Sequence, residues 1–177
     1  NLDKKQVIVG NGTAELLAFI PSIYQLKEAI ICDPSYADYE KVLVNNAINL
    51  SRVALLPANN FCLNINELEN KMSKMVSPAG VILGHPNNPS GACLDYESIM
   101  DLIVRYSHVL FVIDEAFIDF VPGVKSFKAQ ILPNMLVLCS MTKIFALPGL
   151  RVGFALAAPA VVEKFEQYLP AWSVNQL

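Results

Sequence analysis

Short apolar runs alternate along the chain with longer segments in which apolar residues recur every three or four positions. Seven runs have the length of a buried strand, at residues 7–9, 29–32, 53–56, 81–83, 109–113, 135–139 and 152–157. The segments between them predict helices near residues 16–20, 36–47, 64–76, 95–106 and 159–168. This alternation predicts an α/β fold, a three-layer αβα sandwich with a mostly parallel seven-stranded sheet.

The composition narrows the class of protein. The chain has 177 residues, is 54% hydrophobic and 16% charged, and carries a net charge of −3. The length suits one α/β domain, and the mild charge argues against a nucleic-acid surface. No apolar run approaches the roughly 18–20 residues of a membrane span, and residues 1–6 do not resemble a signal peptide. We therefore expect a cytoplasmic protein that binds neither membrane nor nucleic acid.

The cysteines and histidines do not form a metal-binding pattern. Cys32, Cys62, Cys93 and Cys139 show no C-x-x-C spacing, and the two histidines are far apart in the sequence. Reduced thiols that pack as small hydrophobic groups are favoured over disulfides, and we expect no metal site.

The stretch from Ser140 to Phe154 contains the most distinctive chemistry. It carries two hydroxyls, Lys143, a Pro-Gly turn and Arg151 between two apolar runs. A lysine between apolar segments is costly to bury without a chemical use or a charged partner. The pattern predicts a partly desolvated lysine of the kind that acts as an amine nucleophile.

Three other strand ends carry candidate site residues. Gly10-Asn11-Gly12-Thr13 joins a strand to a helix, which is either an anion site or a plain turn capped by Thr13. Residues 84–91 form a rigid loop rich in turn-forming residues. The loop is either a tight turn alone or part of a functional site. Asp114 ends a central strand, the usual site position in a parallel sheet, although a cap or metal ligand is also consistent.

These motifs resemble the fold-type I pyridoxal-phosphate (PLP) enzymes of the aspartate aminotransferase superfamily. The family pattern is Ser/Thr-x-Ser/Thr-Lys, followed eight residues later by an arginine in a Gly-Leu-Arg-x-Gly turn. Ser140, Thr142, Lys143 and Arg151 match it without a gap, and the resemblance extends over residues 7–175. The sequence looks most similar to histidinol-phosphate aminotransferases and threonine-phosphate decarboxylases.

The resemblance implies that pyridoxal 5′-phosphate is the cofactor and that Lys143 is the catalytic residue, which attaches the cofactor and moves protons. The implied cofactor-binding residues are Thr13, Ala14, Tyr36, Asn88, Asp114, Ala116, Phe117, Ser140, Thr142, Lys143 and Arg151.

The implied roles fall into two groups. The backbone N–H groups of Thr13 and Ala14 would hold the cofactor phosphate, with Arg151 and the hydroxyls of the lysine segment. Tyr36 would stack on one face of the pyridine ring and Ala116 would lie against the other. Asn88 would donate to the ring hydroxyl, and Asp114 would pair with the ring nitrogen and keep it protonated.

The local sequence around three parts of the motif set resembles the threonine-phosphate decarboxylase branch of the family. Residues 114–120 read Asp-Glu-Ala-Phe-Ile-Asp-Phe, as in threonine-phosphate decarboxylases, whereas histidinol-phosphate aminotransferases usually have tyrosine at the Phe117 position. Pro148 and the ending Trp172-Ser173-Val174-Asn175 resemble the same branch. The expected function is decarboxylation of O-phospho-L-threonine to aminopropanol phosphate in cobalamin biosynthesis.

Three alternatives stay open at this point. The first is histidinol-phosphate aminotransferase or another class I/II aminotransferase. The second is a non-catalytic PLP-binding domain, and the third is a plain nucleotide-binding α/β domain. The last leaves Lys143 and Arg151 without a role and lacks the G-x-G-x-x-G spacing.

The resemblance also implies how residues 1–177 relate to a whole family member. They correspond to the PLP-binding large domain, without the N-terminal arm and the C-terminal small domain. A tyrosine that the partner subunit contributes and an arginine that grips the substrate carboxylate have no counterpart here. We expect the intact protein to be a homodimer that acts on a small phosphorylated amino acid or amine, and the isolated fragment to be inactive.

Overall fold

The computed structural model describes residues 3–174, which form a seven-stranded sheet with helices on both faces. The strands are β1 (Val7–Gly10), β2 (Glu28–Asp33), β3 (Asn49–Ala54), β4 (Ala79–Gly84), β5 (Val109–Asp114), β6 (Met135–Ser140) and β7 (Gly153–Ala157). The α-helices are α1 (Thr13–Tyr24), α2 (Ala37–Asn45), α3 (Ile65–Met72), α4 (Tyr96–Arg105), α5 (Met141–Ile144) and α6 (Pro159–Tyr168). The predicted α/β architecture is confirmed.

The strand order is β1-β7-β6-β5-β4-β2-β3. Strands β2 to β6 are parallel to their neighbours within that group, whereas β7 runs antiparallel to both β1 and β6. The sheet is therefore mostly parallel, as predicted. This topology brings the carboxyl ends of β1, β2, β4, β5 and β6 to one edge, where ligands bind in open α/β sheets.

Two hydrophobic cores cover the faces of the sheet. Helices α1, α2 and α6 pack on one face, with buried side chains such as Leu16, Leu43 and Phe165. Helices α3 and α4 pack on the other, with Leu68 and Ile103 among the buried residues. Every residue of β4, β5 and β6 is buried, because a central parallel strand is covered on both faces, and this explains their continuous apolar sequences.

Strand β3 and helix α5 differ most from the sequence prediction. Strand β3 begins at Asn49, before the predicted residue 53, and pairs only with β2. Because it is an edge strand with only Val53 fully buried, its first four residues are mostly polar and give no continuous apolar signal. Helix α5 has four residues, too few for periodicity to reveal.

Three local details concern a helix cap, the cysteines and the start of α1. Asn64 caps α3, with its Oδ1 accepting from the Glu67 backbone N–H at 3.1 Å. Cys32 and Cys139 are buried, and all four cysteines are free. Thr13 is the first residue of α1, and the N-cap is Gly12.

In residues 3–174 no helix is long and apolar enough to cross a membrane. Asn175, the last residue of the family resemblance, lies outside the described residues.

Candidate active site

One cleft at the carboxyl edge of the sheet collects all the residues predicted to bind the cofactor. Counting space open to solvent, it encloses about 620 Å³. The predicted residues that line it are Thr13, Ala14, Tyr36, Asn88, Asp114, Ala116, Phe117, Ser140, Thr142, Lys143 and Arg151. Gly12, Tyr39 and Pro86 line it as well. The structure places these residues in one cleft. The role of each residue toward the cofactor stays a prediction.

Asp114 supplies a buried carboxylate at the end of β5. Its Oδ2 accepts from the Tyr39 hydroxyl at 2.7 Å, and its Oδ1 accepts from the Ala116 backbone N–H at 2.9 Å. Burial raises the pKa of Asp114, whereas these two hydrogen bonds and the charge of Lys143 act in the opposite direction. The ionisation of Asp114 therefore depends on the balance between its burial and these neighbouring groups.

A turn whose geometry suits an anion lies where β1 leads into α1. The first N–H groups of a helix have no intrahelical partner and favour negative charge, and here they belong to Thr13 and the residues after it. Gly12 precedes them with φ +74°, and a Cβ there would lie 2.9 Å from Nη2 of Arg151. A Cβ at Gly153 would lie 2.6 Å from the Thr13 nitrogen. The close packing leaves the Arg151 guanidinium beside the opening turn of α1, and the two together suit a phosphate.

The end of β6 adds two buried hydroxyls to the cleft. Ser140 is the last strand residue, and Thr142 lies one residue into α5. Their side-chain oxygens are 2.9 Å apart and hydrogen-bonded to each other. We call the four buried polar residues Tyr39, Asp114, Ser140 and Thr142 the cleft floor.

Lys143 lies on an exposed segment beside this floor. We call residues 143–151 the rim segment, and residues 143–149 are all exposed. The Lys143 Nζ lies 5.6 Å from the centre of the Phe117 ring. The sequence predicts a partly desolvated lysine, whereas Lys143 is exposed because it lies on a four-residue helix at the surface.

Three further residues surround the middle of the cleft. The Tyr36 ring is 37% exposed and its hydroxyl donates to Asp38 at 2.6 Å. Ala116 follows β5, and Asn88 reaches the cleft from the loop after β4; both are half-buried. The cleft thus offers an aromatic face, a small side chain and an amide to a flat ligand.

The sequence analysis did not identify three buried polar residues, two beside the cleft and one behind it. Tyr39 lies three residues after Tyr36, a helical spacing that could have indicated a shared face. Asn87 Nδ2 donates to the Pro34 carbonyl at 3.1 Å, which ties the Asn88 loop to the turn before Tyr36. The only sequence signal for Asn87 was its position directly before the predicted site residue Asn88.

Glu115 is the third missed residue, and it faces away from the cleft. Its carboxylate accepts from the Ser126 hydroxyl and from the Phe127 backbone N–H, both at 2.6 Å. Lys128 lies 3.8 Å away. Glu115 therefore fastens the loop after β5, while Asp114 before it faces the cleft.

Comparisons with known proteins agree with this architecture. A sequence profile of the aminotransferase class I and II family matches residues 1–175. The adenosylcobalamin biosynthesis bifunctional protein CobDQ of Leptospira interrogans is 39% identical over 98% of this chain and 20% of its own. The threonine-phosphate decarboxylase of Salmonella typhimurium is 30% identical over 97% of this chain and 48% of its own.

A solved structure shares the fold over nearly the whole chain. The histidinol-phosphate aminotransferase of Clostridium acetobutylicum has a TM-score of 0.83 and 28% identity, over 96% of this chain and 51% of that chain. The chain therefore spans about half the length, or less, of the relatives it matches.

Proposed function

This chain belongs to the aminotransferase class I and II family of PLP-dependent enzymes, and we propose that it is the cofactor-binding large domain of a threonine-phosphate decarboxylase. The reaction would convert O-phospho-L-threonine to aminopropanol phosphate and carbon dioxide in cobalamin biosynthesis. The observation that carries this choice within the family is Phe117, an aromatic ring without a hydroxyl on the wall of the cleft.

The donor set of the cleft fits pyridoxal 5′-phosphate, the cofactor of this family. The N-terminus of α1 and the Arg151 guanidinium suit its phosphate. Asp114, a buried carboxylate already held by two donors, suits the protonated ring nitrogen. Lys143 supplies the amine for covalent attachment, and no other lysine lines the cleft within the described residues.

When bound, the cofactor supplies an aldehyde that captures the substrate amine and a ring that accepts the electrons released at Cα. Asp114 keeps the ring nitrogen protonated and so preserves that acceptor. Lys143 would hold the cofactor between turnovers, and its Nζ would deliver a proton to Cα in place of the carboxylate that leaves as carbon dioxide. The Arg151 side chain and the α1 turn hold the phosphate, which positions the reacting atoms over many turnovers.

Phe117 supports the decarboxylase because of what its ring lacks. Histidinol-phosphate aminotransferases, in the resemblance described above, usually have a tyrosine here that donates to the ring oxygen. Phe117 offers no such donor, and its ring lies beside Lys143 instead. The relatives named CobDQ and threonine-phosphate decarboxylase support the same branch.

Histidinol-phosphate aminotransferase is the second candidate. The observation in its favour is the likeness to the Clostridium acetobutylicum enzyme over almost the entire chain. Both candidates use the same cofactor residues and differ in which bond at Cα is aligned for cleavage.

The proposal extends to the whole protein. We propose a homodimer that acts on a small phosphorylated amino acid, with the site completed by an arm and a small domain. The exposure of Lys143 and of the apolar rim residues Phe145 and Leu147 supports completion by further parts. Four free cysteines support a cytoplasmic location. The isolated chain should turn over poorly.

The test uses the full-length gene product loaded with the cofactor. O-phospho-L-threonine should release carbon dioxide and yield aminopropanol phosphate, and Lys143→Ala should abolish both. Formation of glutamate from histidinol phosphate and 2-oxoglutarate, without carbon dioxide, would assign the second candidate. Failure with both substrates despite cofactor binding would point to a non-catalytic PLP-binding protein.

A further inference from the structure

A buried tyrosine hydroxyl contacts the carboxylate at the bottom of the cleft. Tyr39 is only 2% exposed, and its hydroxyl donates to Oδ2 of Asp114 at 2.7 Å. The two residues are 75 positions apart in the sequence: Tyr39 is on α2, and Asp114 ends β5. The contact therefore joins a helix on one face of the sheet to the end of a central strand.

The hydrogen bonds of Asp114 leave part of its carboxylate available to a ligand. A carboxylate has about four acceptor sites. Asp114 uses one on the Tyr39 hydroxyl and one on the Ala116 N–H, which restrain both oxygens from the protein side. Because Asp114 also lines the cleft, its remaining lone pairs can meet a donor there.

The direction of the Tyr39 hydrogen bond is fixed. Burial and the neighbouring carboxylate raise the pKa of Tyr39 well above its ordinary value, so the hydroxyl stays protonated and donates. Burial also raises the pKa of Asp114, and the bond from Tyr39 opposes that rise most strongly among the neighbouring groups. Tyr39 thus favours the ionised form of Asp114 without competing for a proton.

We propose that Tyr39 is a positioning residue for the cofactor: its hydroxyl keeps Asp114 ionised and oriented toward the ring nitrogen, and it acts on the cofactor only through Asp114. The inference rests on the role proposed for Asp114, and it is independent of which reaction the enzyme catalyses.

The first turn of α2 would then serve the cofactor twice. Tyr36, just before the helix, lines the cleft, and its ring meets that of Tyr39 edge to face with the centroids 5.5 Å apart. One rigid turn would set both an aromatic face and the orientation of the carboxylate. The competing explanation is that Tyr39 is only a core aromatic, since its ring also packs among the buried residues of α1 and α2.

The experiment compares two ligands in the full-length protein, without substrate. Tyr39→Phe removes only the hydroxyl, and dissociation constants are measured by absorbance titration for pyridoxal phosphate and for its 1-deaza analogue. The analogue has carbon in place of the ring nitrogen and so cannot pair with Asp114. A hydrogen bond to a charged group implies that Tyr39→Phe weakens pyridoxal phosphate binding about 10-fold or more, with no change for the analogue.

Two variants make the result interpretable. Asp114→Asn should show the same selective loss, and adding Tyr39→Phe to it should cost little more, since both act on one interaction. Tyr24→Phe is the matched control, because it also removes a buried tyrosine hydroxyl, one that has no hydrogen-bond partner in the described structure. It should leave both dissociation constants unchanged.

Three outcomes would overturn the inference. Equal weakening of both ligands by Tyr39→Phe would make Tyr39 a packing residue. An undiminished effect in the Asp114→Asn background would show that Tyr39 acts independently of Asp114. If Asp114→Asn itself does not distinguish the ligands, Asp114 does not pair with the ring nitrogen. None of these measurements depends on carbon dioxide release, so they leave the choice of reaction open to its own test.

Discussion

The cleft floor and the rim segment differ in how much of their chemistry the folded chain has already arranged. On the floor, Tyr39 is bonded to Asp114 and Ser140 to Thr142, and all four side chains are at most 9% exposed. On the rim, Lys143 and Arg151 are exposed, and neither forms an ion pair within residues 3–174. The floor is organised by the core, whereas the rim presents charge to solvent.

This difference follows from the cost of burying polar groups. A buried carboxylate or hydroxyl needs hydrogen-bond partners, so the floor residues occur in bonded pairs. An exposed lysine or arginine keeps its hydration and remains free to meet a ligand. We therefore expect floor substitutions to affect both folding and the cofactor, and rim substitutions to affect the cofactor alone.

Lys143→Ala gives the largest expected effect. It should abolish covalent attachment of pyridoxal phosphate, because it removes the only lysine among the described residues that line the cleft. The free energy of unfolding without cofactor should change by no more than about 0.5 kcal/mol, as for an exposed side chain. Borohydride reduction followed by mass spectrometry measures the attachment, and Lys164→Ala on α6 is the matched control. Stoichiometric attachment to Lys143→Ala would refute the assignment.

Arg151→Met should have the next largest effect. Loss of a charge-assisted phosphate contact should raise the dissociation constant of pyridoxal phosphate about 10- to 100-fold. Pyridoxal, which lacks the phosphate, should bind to the variant and to the wild type equally well. Arg52→Met, on the edge strand β3, controls for loss of a positive charge. A similar loss of pyridoxal binding would mean that Arg151 supports the cleft itself and is not a phosphate ligand.

Substitution of His85, a buried polar residue outside the cleft floor, should give the smallest effect, and it tests through folding the same cost of burying a polar group. Its Nδ1 accepts from the Leu94 backbone N–H at 3.0 Å, and its Nε2 lies 3.1 Å from the Lys125 carbonyl. Burial lowers the pKa of His85 in the folded state. As the pH falls below about 6.5, the unfolded chain gains a proton that the folded chain resists, so the free energy of unfolding decreases.

The contribution of His85 to that decrease is at most about 1.4 kcal/mol per pH unit. His85→Gln should remove this contribution between about pH 6.5 and pH 5, as measured by denaturant unfolding at several pH values. His108→Gln, at an exposed histidine, is the matched control. If the two variants behave alike, His85 does not titrate against the fold.

Local patterns predicted the sheet because each central strand has a uniform environment. Strands β4 and β5 are apolar throughout since both of their faces are covered. The same reasoning failed at β3, where only one residue is fully buried, and at α5, which is one turn long. Prediction thus succeeded where burial is continuous along a strand. It failed at the edge strand β3 and at α5, the shortest helix.

The candidate site was predictable to the extent that its residues follow strands. Asp114, Ser140 and Asn88 all come at or soon after the carboxyl end of a strand, so a parallel sheet brings them together. Tyr39 was not predictable in this way, because its contact with Asp114 depends on how α2 packs on the sheet. The exposure of Lys143 also depended on the tertiary structure, since an apolar sequence on either side of it had suggested burial.

The sequence by itself determined the alternation of strands and helices, the motif residues and, through the family pattern, the cofactor. The order of the strands, the antiparallel placement of β7 and the pairing of Tyr39 with Asp114 were decided only by the tertiary structure. The physical reason is range: hydrophobic periodicity and turn chemistry act over a few residues. A hydrogen bond between residues 75 positions apart exists only after the core has packed.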